Sequence, residues 1–123
     1  SFDLDQKEMG GQAGQRQGLI KVYSNLGYPK KMVVDLREPG PRLVEEYYYF
    51  DNELLFCFRL THPNSQQGAG GQTREDRFYF YQGQLIKWLD PNKNEVPSTD
   101  PAYQTEQQQI LDSSARYLEL SQN

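Results

Sequence analysis

Apolar and aromatic residues alternate with polar ones through the middle of the chain, and twice they close around a short polar break. Glu45–Leu60 reads EEYYYFDNELLFCFRL, with Asp51-Asn52-Glu53 between two aromatic runs. That is the signature of a β-hairpin, and Asn52 suits the positive φ that a tight turn requires. A three-residue loop over Asp51–Glu53 places Phe50 opposite Leu54. One face then carries Val44/Leu60, Glu46/Phe58 and Tyr48/Phe56; the other carries Glu45/Arg59, Tyr47/Cys57 and Tyr49/Leu55. The register is favoured because it sets Glu45 against Arg59, and a one-residue slip would lose that pair. A second copy, RFYFYQGQLIKWL, spans Arg77–Leu89, with Gly83 in the place of Asn52. It pairs Phe80 with Ile86 and Phe78 with Trp88 on one face, and Tyr79 with Lys87 and Tyr81 with Leu85 on the other.

The flanking segments are read the same way. Ser1–Gly18, rich in Gln and Gly, predicts a linker. In Leu19–Leu26 the apolar positions recur at i, i+3, i+4 and i+7, which favours a short helix closed by Gly27, although Ile20 and Val22 would equally suit a strand. Lys30–Arg37 alternates as a strand, stopped by Glu38-Pro39-Gly40-Pro41. Asn64–Thr73 is a polar, Gly-rich loop. Asp100 and Pro101 open a helix as N-cap and first residue. Its apolar stripe is Tyr103, Gln107, Ile110, Leu111, Ser114, Tyr117 and Leu118. The expectation is an α+β fold: an antiparallel β-meander of about five strands with the C-terminal helix on one face and a short N-terminal helix. Residues 1–18 would be linker and 19–123 a single domain.

Composition narrows the function classes. With 13% aromatic residues, the core is built from a few large rings. The net charge of −4 and the lack of a Lys/Arg cluster argue against a nucleic-acid surface. No apolar run approaches the roughly 20 residues that span a bilayer. A single cysteine allows no internal disulfide. No motif calls for a cofactor, and metal-ligand spacing is missing.

Few residues suggest chemistry. Cys57 and His62 lie five apart, on opposite faces of one strand, so they do not make a nucleophile–base pair. Glu46 sits on an otherwise apolar face, at its margin or lining a pocket. Gly68–Gly71 lacks the Lys-Ser/Thr of a phosphate loop, and Ser113-Ser114 falls within a helix. Both faces of the first hairpin are apolar, and the C-terminal helix can cover only one. The other is covered by Leu19–Leu26 or left open as an aromatic platform of Tyr47 and Tyr49, extended by Tyr79, Tyr81 and Lys87. That platform gives a non-enzymatic binding module for a protein or small ligand. The rival readings are a hydrolase-like cleft near Glu46 and His62, and a purely structural spacer.

The pair EEYYYFDNELLFCFR and REDRFYFYQGQLIKWLD, followed by a C-terminal helix, resembles bacterial secreted and lipid-anchored cell-envelope proteins of uncharacterised function. The likeness covers Lys30 to Leu118 and departs at Glu53, where glycine is commoner, and in the Gln/Gly-rich leader. It carries turns and core rings and no catalytic residues. It implies an extracytoplasmic setting, with a membrane tether in a segment outside this chain.

Overall fold

The computed structural model describes residues 2–10, 16–38, 40–63 and 72–122. Seven strands run as one antiparallel meander in chain order: β1 Asp3–Met9, β2 Gln17–Asn25, β3 Tyr28–Glu38, β4 Leu43–Phe50, β5 Glu53–Thr61, β6 Arg74–Tyr81 and β7 Gln84–Leu89. One helix, α1 Pro101–Ser121, packs across one face.

The meander rests on a turn used three times. Leu26-Gly27, Asp51-Asn52 and Gln82-Gly83 each link two strands through two residues with positive φ, at 54° and 83°, 53° and 64°, and 49° and 78°. Two positive φ values make the turn whose twist matches that of the paired strands. Each turn is followed by one extra residue on the returning strand: Lys30, Leu55 and Ile86. The first hairpin therefore closes with two residues where three were expected. Phe50 faces Glu53, Leu54 faces Tyr49, and Leu55 is pushed outward. The second hairpin repeats this, pairing Phe80 with Leu85 and exposing Ile86. Beyond each bulge the expected partners return, including Glu45 with Arg59 and Phe78 with Trp88.

Two further expectations are corrected. Leu19–Leu26 is not a helix: Gln17–Asn25 is a strand held between β1 and β3, and Leu26 is a turn residue. Its apolar residues serve two faces, Ile20 and Val22 inward and Leu19 and Tyr23 outward, so their spacing imitates a helical stripe. Within the expected linker, Asp3–Met9 forms the edge strand β1 along β2. Polar composition hides such a strand because most of its side chains stay in water. The remaining Gln/Gly positions 11–15 and the loop 64–71 lie outside the described residues.

The helix starts as expected, with the Asp100 carboxylate accepting from the Ala102 N–H at 2.9 Å and proline in the first turn. Its stripe Tyr103, Ile110, Ser114 and Tyr117 is buried. At β7 the Tyr103 hydroxyl donates to the Leu85 carbonyl, and the Leu85 N–H donates to Gln107. At the far end, Tyr117 and Leu120 line a cleft together with Met9 and Leu36. Beneath the helix run Val22, Met32, Tyr47, Cys57, Phe78 and Trp88, one from each of β2 to β7 in cross-strand register.

Gly18 marks where β3 bulges against β2, with Arg37 as the extra residue. A Cβ there would lie 2.3 Å from the Asp35 carbonyl oxygen, against rigid backbone. Gly18→Ala is expected to destabilise the fold by about 2 kcal/mol, as overpacking does. Urea denaturation checks this; an unchanged midpoint would mean that the two strands separate freely.

Candidate functional site

The sheet presents two different chemistries. On the helix side, the register brings Glu45, Arg59 and Asp76 side by side on β4, β5 and β6. Glu45 is 5% exposed and Asp76 2%, so both carboxylates need partners. Glu45 accepts from Tyr47 Oη at 3.0 Å and from Arg59 Nε at 3.1 Å. Arg59 also donates to Glu106 of the helix and stacks over the Phe78 ring. Asp76 accepts from Trp88 Nε1 at 3.1 Å and from Arg74 at 2.7 and 3.1 Å. Burial works against the Arg59 charge, but Glu45 and Glu106 outweigh it and raise its pKa above the usual value. Burial likewise pushes the Tyr47 phenol and the Cys57 thiol well up, with Glu45 adding to both.

Open clefts of about 520 and 540 Å³ flank Arg59. The first is lined by Arg16, Thr61, Asp112 and Tyr117, the second by Arg74, Trp88 and Thr105. Glu45, Arg59 and Glu106 are already bonded to one another, as are Asp76 and Arg74, while Arg16 donates to the Pro41 carbonyl. Cys57 is a fully buried thiol, held protonated by its surroundings. This side of the sheet joins the helix to the strands.

Among the described residues, the opposite face carries no helix. A row crosses all seven strands there: Leu4, Tyr23, Lys31, Tyr48, Phe56, Tyr79 and Lys87. Tyr48 and Phe56 lie 5.8 Å apart between ring centres, and Phe56 and Tyr79 4.9 Å. Lys31 stands over Tyr23 and Tyr48 at 5.9 and 5.4 Å, and Lys87 over Tyr79 at 5.8 Å. The next row adds Glu46, Phe58 and Arg77, with Arg77 5.1 Å above Phe58. Glu46 accepts from Tyr48 Oη at 2.6 Å and pairs with Lys31 at 3.8 Å. Burial and the Glu46 bond push the Tyr48 phenol up to about 12.

The five residues expected to form the platform are divided by the fold. Tyr47 and Tyr49 point under the helix, 0% and 7% exposed, and Tyr49 Oη shares a 2.6 Å hydrogen bond with Ser114 Oγ. Tyr79 and Lys87 are on the helix-free face, and Tyr81 is 59% exposed beside the turn. Where the two hairpins join, Cys57 pairs with Phe78 and Phe56 with Tyr79, which sets Tyr79 on the face opposite to Tyr47. Tyr23, Lys31, Tyr48, Phe56 and Phe58 were missed as members of the open surface. The alternation in each strand identifies them only once the order of strands is known. Glu46 and His62 do not come together. Glu46 is on β4, and His62 follows the end of β5, four residues past Phe58, the partner of Glu46. That is roughly 13 Å along the strand. The His62 backbone N–H donates to the Arg42 carbonyl.

Among the described residues, no group of three or more His, Cys, Asp or Glu could hold a metal ion, and no helix is long and apolar enough to cross a membrane. Comparison with protein-family models, with curated proteins and with solved structures finds no match for this chain.

Proposed function

We propose that this domain is a non-enzymatic interaction module of the bacterial cell envelope, and that it works through the helix-free face of its sheet. The observation that carries the reading is the unbroken row Tyr23–Lys31–Tyr48–Phe56–Tyr79–Lys87, left without a covering layer among the described residues. Aromatic side chains, tyrosine among them, are what protein interfaces concentrate. The rings are tilted by 43° and 50° to one another and their faces are taken by neighbours, so they form no flat stacking surface. A partner would instead meet ring edges, phenol hydroxyls and ammonium groups. Lys31 and Lys87 belong to this row, and Lys30 stands over Phe50, in a chain whose net charge is −4. The partner that fits is a protein surface bearing carboxylates around an apolar centre, with the local charge setting its orientation. The envelope setting rests on the sequence resemblance alone.

The test uses Tyr79→Ala combined with Lys87→Glu, both away from the helix-side core. Envelope proteins captured by the wild type are purified and titrated against both forms. At least one is expected to bind the wild type about a hundredfold more tightly, as removal of a central anchor and reversal of a charge would give. That partner is also expected to slow chemical modification of Tyr79 and Tyr81. Equal affinities for both forms, or unprotected tyrosines, would remove the open face from consideration.

A further inference from the structure

We propose that β1 pairs antiparallel with β1 of a second copy, with Gln6 on the two-fold axis, to give one continuous sheet through both molecules. The two edges of the sheet are treated differently. The outer side of β7 is partly occupied: Leu89 bridges Glu95, and the Val96 N–H donates to the Trp88 carbonyl at 2.8 Å. β1 is the other edge, and among the described residues no segment pairs with its outer side. Such an edge offers a row of free backbone donors and acceptors to another strand. Next to it, Phe2 and Leu4 leave 62% and 44% of their surface in water.

The sequence of the strand, DLDQKEM, says which partner fits. Directly opposed residues in an antiparallel pair share a face, so a two-fold edge pairing allows only registers whose paired numbers have an even sum. Centring on Asp5 sets two aspartates against each other, and centring on Lys7 sets two lysines. Centring on Gln6 opposes Asp3 with Met9, Leu4 with Glu8, and Asp5 with Lys7 twice over. It is also the register that uses the whole strand. Charges on an edge ordinarily repel a foreign strand. Here two of those charges admit a second copy, because Asp5 and Lys7 meet each other across the axis. The cross-strand rows of both faces would then continue from one molecule into the next. The inference stands on β1 alone and is independent of what binds the open face.

Sedimentation of the full chain tests it. The wild type is expected to move reversibly from a 14.3 kDa monomer to twice that mass as concentration rises. Asp5→Lys and Lys7→Asp, each alone, turn both attractive pairs into repulsive ones and should raise the dissociation constant about tenfold or more. The double swap Asp5→Lys/Lys7→Asp restores both pairs and should restore the dimer. Gln6→Cys should form a covalent dimer on mild oxidation, since residues opposed on a two-fold stand roughly 4.5–5.5 Å apart between Cα atoms. The native Cys57 is buried and cannot compete. A wild type that stays monomeric at every concentration overturns the proposal. So does a dimer indifferent to the single swaps, or a Gln6→Cys chain that fails to cross-link.

Discussion

Arg59→Leu is expected to lower the stability of the domain by about 3–5 kcal/mol, the usual result of stripping one partner from a buried ion pair. The reason lies in what remains. Glu45 sits under the helix at 5% exposure, held by Arg59 and by the Tyr47 hydroxyl, and Glu106 is held from the helix by the same guanidinium. Without Arg59 the two carboxylates lose the cation they share, and Glu45 remains buried. The whole group is not expected to be worth that much. Desolvating these charges opposes their attraction, so replacing them together should recover most of the loss. The contrasting variant is Glu45→Leu/Arg59→Leu/Glu106→Leu with Tyr47→Phe, which leaves no stranded acceptor or phenol. Urea denaturation of both reads the outcome. A loss below about 1 kcal/mol for the single change would show that water already reaches the group.

Alkaline pH is expected to unfold the protein steeply. Burial raises the Tyr47, Tyr49 and Cys57 pKa values above their ordinary values of 10.0, 10.0 and 9.0. A raised folded-state pKa means that the stabilising contribution is complete below the unfolded pKa and is lost as pH rises toward the folded one. Below pH 9 both states hold these protons and stability is flat in this respect. Above pH 10 the unfolded chain releases protons that the native state retains. Each buried phenol then removes about 1.4 kcal/mol per pH unit, so Tyr47 and Tyr49 together remove about 3, and the thiol adds to this. Circular dichroism and phenolate absorbance followed together should show the buried phenols ionising only as structure is lost. Tyr49→Phe should make the decline shallower, after a loss near 1 kcal/mol at neutral pH from its bond to Ser114. Ionisation of all tyrosines with the fold intact would contradict the burial of Tyr47 and Tyr49.

At the other extreme of pH the contribution has the opposite sign and is small. The hydrogen bond from Arg42, at the exposed end of the sheet, holds the Asp35 carboxyl below its ordinary pKa. Its contribution is present above the unfolded pKa and fades as pH falls through the folded one, which makes it a minor element of acid unfolding.

Local chemistry determined much of this protein in advance. Two aromatic hairpins, the Glu45–Arg59 pair, and the start and buried stripe of the C-terminal helix all follow from residues near one another in the chain. Turn preferences, period-2 alternation and capping act over a few residues, so they are legible without a fold. Three features were not local. The strand Gln17–Asn25 was ambiguous because a strand with both faces partly apolar repeats at intervals that a helix also uses. The edge strand Asp3–Met9 was hidden because its order comes from hydrogen bonds to β2 and not from burial of its own side chains. Above all, which tyrosines lie open was set by the pairing of β5 with β6. Moving that pairing by one residue exchanges the two faces, and it is this register that places Tyr47 beneath the helix and Tyr48 on the open surface.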